Sequence, residues 1–186
     1  APNITDDNLT LFEQAIASAL TKTDPKYDLE AEKRWMASVY GKSNPYSEWI
    51  REGLVESLVL IAVYGDRTPY IKTSTQIFAD NVVKNILASA NKWEMWASIK
   101  DITPLLAEAS PDAFMGAIEK IITEDKVLLK ELLSDDGTMF GECRHAGLLW
   151  ALESISWSSE YFSRAVNILY ELSNIDCGGK WHNRPI

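Results

Sequence analysis

Apolar residues recur every three to four positions along almost the whole chain. They never alternate with period two for long enough to demand a strand. That spacing lines them up on one face of a helix. Leu9, Phe12, Ile16 and Leu20 make the first such face, which ends at Asp24-Pro25. Asp28 predicts the cap of a second helix, carrying Leu29, Trp35, Met36 and Val39 and stopping at Gly41. Ser43-Asn44-Pro45 predicts the start of a third, with Trp49, Ile50, Leu54, Leu58, Ile61 and Ala62 inward. Val59, Leu60 and Val63 make this segment apolar nearly all round, the pattern of a central, buried helix. Gly65-Asp66 ends it.

Ile71 to Ala90 predicts a long helix with Ile77, Phe78, Val82, Ile86 and Leu87 inward. A short segment follows with Trp93, Trp96 and Ile99, then a helix opening at Thr103-Pro104. Ser110-Pro111-Asp112 is a complete start signal: a cap, a proline at the first position and an acid in the first turn. It opens a helix with Phe114, Ala117, Ile118, Ile121 and Ile122. Glu124 to Leu133 predicts one more, with Val127, Leu128, Leu132 and Leu133 inward, before a loop from Asp135 to Gly141. His145 to Trp157 reads as a helix through Leu148, Leu149, Leu152 and Ile155. Ser158-Ser159-Glu160 caps the last, with Phe162, Ala165, Val166, Leu169 and Leu172.

The expected fold is therefore all-α without a sheet: stacked antiparallel helix pairs, as an α-solenoid or an irregular bundle. A weak internal repeat favours the solenoid. Ser110-Pro111-Asp112-Ala113-Phe114 corresponds to Ser158-Ser159-Glu160-Tyr161-Phe162, 48 residues later. HEAT-like units of paired helices run to about 40–47 residues.

The chain has 186 residues, 46% of them hydrophobic and 24% charged, which excludes a disordered chain and fits a single helical domain over 1–186. Ala1-Pro2-Asn3 without a starting Met predicts a segment of a longer protein. The net charge is −9, and the only adjacent basic pair is Lys33-Arg34, so the long-range field opposes nucleic-acid binding. No window is apolar enough to span a membrane. Glu124, Asp125, Glu131, Asp135 and Asp136 read as a solvated surface. Cys143 and Cys177 form no C-x-x-C pair and read as thiols of a reducing compartment, hence a cytoplasmic protein.

Groups able to do chemistry are few. Cys143-x-His145 and Cys177-x4-His182 contain the right residue types for zinc, but their spacing matches no closed module. Glu142-x-x-His145 lacks the second copy that a di-metal bundle needs. Gly41-Lys42-Ser43 has the end of a phosphate loop, but Met36 stands where its first glycine belongs. There is no G-x-S-x-G nucleophile turn. No catalytic residue, cofactor or metal ligand is assigned. Trp93 with Trp96, and Trp150 with Trp157, lie at helical spacing and are expected to fill the core.

Three segments carry a resemblance. They are Trp93 with Ile102-Thr103-Pro104-Leu105-Leu106-Ala107-Glu108-Ala109-Ser110-Pro111-Asp112-Ala113-Phe114, then Gly147-Leu148-Leu149-Trp150-Ala151-Leu152-Glu153, then Gly178-Gly179-Lys180-Trp181-His182-Asn183-Arg184-Pro185. Together they resemble HEAT-like helical-repeat regions of large bacterial proteins of unknown function, some similar to NTPase-linked sensor or defence proteins. The resemblance covers about half the chain and supplies no catalytic residue. It implies a non-catalytic binding or scaffold module whose partner is a protein, either the rest of a longer chain or another molecule. In the tail, Gly178-Gly179 permits a reversal and Trp181 is expected to pack back on the helices. Trp181, His182, Asn183 and Arg184 are the candidate recognition surface. A competing reading is a small-ligand or enzymatic pocket walled by His145, Trp150, Trp157 and Trp181.

Overall fold

The computed structural model describes residues 4–68, 70–134 and 143–177. These residues form α-helices and 3-10 turns, with no strand among them. Helix α1 (Asp6–Leu20) buries Leu9, Ile16, Ala19 and Leu20, and the Thr5 amide donates to Asn8 Oδ1 at its start. Helix α2 spans Glu48–Tyr64, α3 Thr75–Ser89 and α4 Trp93–Ser98. Helix α5 spans Thr103–Ala109, α6 Pro111–Glu124 and α7 Lys126–Leu133. Helix α8 (Ala146–Ser156) and α9 (Phe162–Ser173) complete the fold.

The packing has a regular pattern. Helix α2 lies against α5 and α5 against α8; α3 lies against α6 and α6 against α9; α4 lies against α7. Within each set, α2 packs on α3, α5 on α6 and α8 on α9. One apolar core runs through all of them, from Leu9 to Cys177. No helix among the described residues is long and apolar enough to cross a membrane.

Capping chemistry explains several boundaries. Ser110 Oγ accepts the Ala113 amide, and Asp125 Oδ1 accepts the Leu128 amide, each satisfying a first-turn donor. Helix α3 is capped from a distance: Asp66 Oδ1 takes both the amide and the hydroxyl of Thr75. Those two bonds hold the Asp66 carboxyl below its ordinary value.

The structure departs from several expectations. The helix expected over 28–41 is two 3-10 turns, Pro25–Asp28 and Ala31–Met36, with Trp35 and Val39 exposed. Tertiary contacts override the periodicity there. Tyr27 meets Trp93 edge-on at 5.4 Å, and the Arg34 guanidinium reaches over both rings while its Nε donates to Leu29 O. The third helix starts at Glu48, capped by Ser47, not at Pro45. It is not the most buried helix: Val55, Leu58 and Arg51 face inward, while Trp49 is 84% exposed and Leu60, Val63 and Tyr64 lie outside. The core helix is instead α3, although Ile77 faces solvent. Val127 on α7 is also exposed. The last helix begins at Phe162, with Tyr161 at the cap position.

That last shift bears on the internal repeat. Helices α6 and α9 do occupy matching places in the packing. Their residues do not match: Phe114 is fully buried one turn into α6, whereas Phe162 opens α9 and is exposed.

Candidate functional site

Helix α8 has two opposite faces. Gly147, Leu148, Ala151, Leu152 and Ile155 are buried. A Cβ on Gly147 would lie 1.7 Å from the Lys100 carbonyl oxygen, so the helix backbone rests directly on the turn before α5. On the far side, Trp150 is 60% and Trp157 85% exposed. Seven residues is two turns, so the two indoles share one line down the helix.

Helix α9 repeats the division. Ala165, Ile168 and Leu172 are buried. Phe162, Val166 and Tyr170 are exposed, at i, i+4 and i+8 on one stripe. Asn167 and Glu171, on the other flank, border a cleft of about 440 Å³ shared with Glu119 and Ile122 of α6. Exposed Glu153 and Glu160 add acid to the segment that carries these aromatics. The expectation that Trp150 and Trp157 fill the core is therefore overturned. It holds for Trp96, whose indole N–H donates to Ala90 O at 2.9 Å inside the core. Trp93 is half-buried beneath the Arg144 guanidinium, 3.8 Å from its ring centre. Five large apolar side chains within residues 150–170 are thus open to water on two helices that pack on each other, and exposed apolar groups gathered on neighbouring elements are a feature of interaction sites.

The remaining candidates fall differently. Trp181, His182, Asn183 and Arg184 lie outside the described residues, as do the 178–186 tail and the 135–141 loop. His145 is buried at the cap position of α8, whereas Trp150 and Trp157 point out, so these three do not form one pocket wall. Cys143 Sγ lies 3.6 Å from His145 Nε2, and both cysteines remain thiols. Among the described residues no three His, Cys, Asp or Glu side chains converge to hold a metal. Lys42 of the glycine turn pairs with Asp28 Oδ2 at 2.7 Å. Glu124, Asp125 and Glu131 are exposed as expected.

Sequence reasoning missed a second unusual group, the buried Arg51. No local signal marks it, because its burial depends on the distant Ser98 carbonyl. In comparisons with known proteins, the chain matches no family model, no curated protein and no solved structure.

Proposed function

We propose that the chain is a non-catalytic helical-repeat module that binds a protein through the outer face of α8 and α9. Each unit of the repeat is three helices. The contacts α2–α5–α8, α3–α6–α9 and α4–α7 support that register, because each helix touches its counterpart in the next unit. Stacked arrays need a polar outer face on their end units to stay soluble alone. The α8–α9 pair carries Trp150, Trp157, Phe162, Val166 and Tyr170 exposed, and this is the observation that carries the reading.

The occupant is a helical element, contributed by a longer version of this chain or by another protein. Its own apolar stripe would match the i, i+4, i+8 line of α9, bordered by Lys or Arg to complement Glu153 and Glu160. The net charge of −9 argues for such a partner over nucleic acid or an anionic membrane surface. The two retained thiols support a cytoplasmic setting.

A photo-reactive amino acid at position 157 tests this in cells, with position 84 on the exposed side of α3 as control. Adducts to protein from 157 that vanish on Trp150→Ser are the expected result. Equal background from both positions would reject the surface.

A further inference from the structure

We propose that the cleft at the amino end of α2 is a binding site for a small zwitterion, an α-amino acid held by its carboxylate on Arg51. The cleft has a volume of about 360 Å³. Its walls are the first turn of α2 and the turn joining α4 to α5.

Arg51 is 8% exposed, and it lines this cleft. One of its bonds is structural: Nη2 donates to Ser98 O at 2.6 Å, at the carboxyl end of α4. A guanidinium has five N–H donors, and burial demands that they be used. Here Nε is buried without a hydrogen-bond partner, and among the described residues no carboxylate approaches Arg51 closely enough for an ion pair. Burial accordingly pushes the Arg51 guanidinium below its ordinary value, despite the fields of Asp24, Asp101 and Glu48. A largely buried guanidinium that lines a cleft and has no carboxylate partner among the described residues is complementary to a carboxylate, which accepts two N–H bonds side by side.

The rim selects among anions. Glu48 and Glu52 stand one turn apart on α2, and Asp101 lies opposite, paired with Lys100 Nζ at 2.7 Å. Counting Arg51 and Lys100, the walls carry a net charge of −1. A phosphate is repelled by such a rim, whereas an ammonium beside the ligand's carboxylate is welcomed by it. Ile102 leaves an apolar wall for a side chain.

The site is also built to keep its shape. Ser98 Oγ accepts the Asp24 amide and donates to Glu94 O, and Thr103 Oγ1 donates to Ile99 O. Gly147 of α8 presses on the Lys100 carbonyl from behind. Rigid support of this kind lowers the ordering cost of binding.

The experiment is amide-resolved NMR on the whole chain, titrating each standard amino acid separately, with sodium acetate and inorganic phosphate alongside. The expected result is a saturable shift of the Ser98–Ile102 amides with at least one amino acid, weaker with acetate and weaker still with phosphate. Arg51→Gln should abolish it. Because that variant loses the Ser98 bond as well, Glu48→Gln with Glu52→Gln on the exposed rim is the second arm. It should keep the fold and weaken the best amino acid about tenfold, or 1.4 kcal/mol. Three outcomes overturn the proposal: no shift at about 10 mM, beyond the weak end of metabolite affinities; acetate or phosphate binding as tightly as any amino acid; or an unchanged affinity in the rim variant.

Discussion

Adding one methyl group to a helical glycine should have opposite signs at different places in this protein. Glycine inside a helix costs about 0.5–1 kcal/mol relative to alanine, so Gly→Ala stabilises where there is room. Gly53 on α2 has nothing within 4 Å of a built Cβ, and Gly116 on α6 has only the Arg164 Nη2 at 3.6 Å. At Gly147 the new carbon would sit 1.7 Å from Lys100 O, and backbone cannot swing aside. Real carbon contacts do not fall below 3.0 Å, so α8 must retreat by about 1.3 Å. A gap of about 1 Å already forfeits roughly half the dispersion energy of a contact along the seam, and this one is wider. That seam holds Leu106, Ala107, Leu148, Ala151 and Leu152, all buried.

Overpacking and the loosened seam together should cost about 3 kcal/mol, well above the propensity gain. For a chain of this length each kcal/mol moves the melting temperature by about 2–4 °C. Gly147→Ala should therefore melt about 6–12 °C lower, while Gly53→Ala and Gly116→Ala melt slightly higher. Scanning calorimetry on the three variants measures this. A Gly147→Ala protein as stable as the parent would refute the close approach of α8 to the α4–α5 turn.

Other perturbations test separate contacts. Arg164 on α9 forks onto both Glu119 oxygens at 2.7 Å and reaches Asp112 at 2.8 Å. The hydrogen bond from Arg164 holds the Glu119 carboxyl below its ordinary value. A lowered carboxylate stabilises the fold above the unfolded pKa of about 4.3 and loses that contribution as pH falls through the folded value. Arg164→Met should therefore flatten the acid limb of a stability–pH curve, with a loss near neutral pH of only about 1 kcal/mol because the pair is part-exposed. Arg144→Lys should destabilise by roughly 1–2 kcal/mol in urea melts, since it loses the close guanidinium contact with Trp93 and the bond to Glu131 O at the end of α7. Trp157→Ser should leave stability within about 0.5 kcal/mol and remove the most red-shifted, most easily quenched part of the tryptophan fluorescence. Ser110→Ala should cost about 1 kcal/mol, because its hydroxyl caps α6 and also donates to Asp80 at 2.6 Å.

The legible parts of the fold were those where local chemistry and tertiary packing agree. Ser110-Pro111-Asp112 names a helix start by itself, and α6 begins there. The face of α1 through Leu9, Ile16 and Leu20 was equally plain. Residues 28–41 misled because the Arg34 and Tyr27 contacts with Trp93 lie far away in sequence. Helix α2 misled for a different reason. An all-round apolar helix is read as central, but the same composition arises when one face meets the core and the other is left open. Trp150 and Trp157 carry the same ambiguity, since an indole destined for a partner looks in sequence like one destined for the interior. Arg51 was invisible because its burial is a property of the α2–α4 geometry, not of its neighbours in the chain.

Ser98 ties together three stretches of chain, and this sets an order of events. Its hydroxyl closes a link to Asp24, 74 residues earlier, and its carbonyl one to Arg51, 47 residues earlier. Such non-local links form late in folding, because the loop entropy must be lost before the bond is gained. During synthesis, the segment before α4 emerges with the Arg51 guanidinium in water and the Asp24 amide uncapped. Neither can reach its native partner until residue 98 has left the ribosome. The helices α5, α6, α8 and α9 pack on one another, and α5 and α6 pack on α2 and α3 as well. The amino-terminal half is thus made first and completed only after residue 98 arrives, and a truncation before Ser98 leaves it without its fastening point.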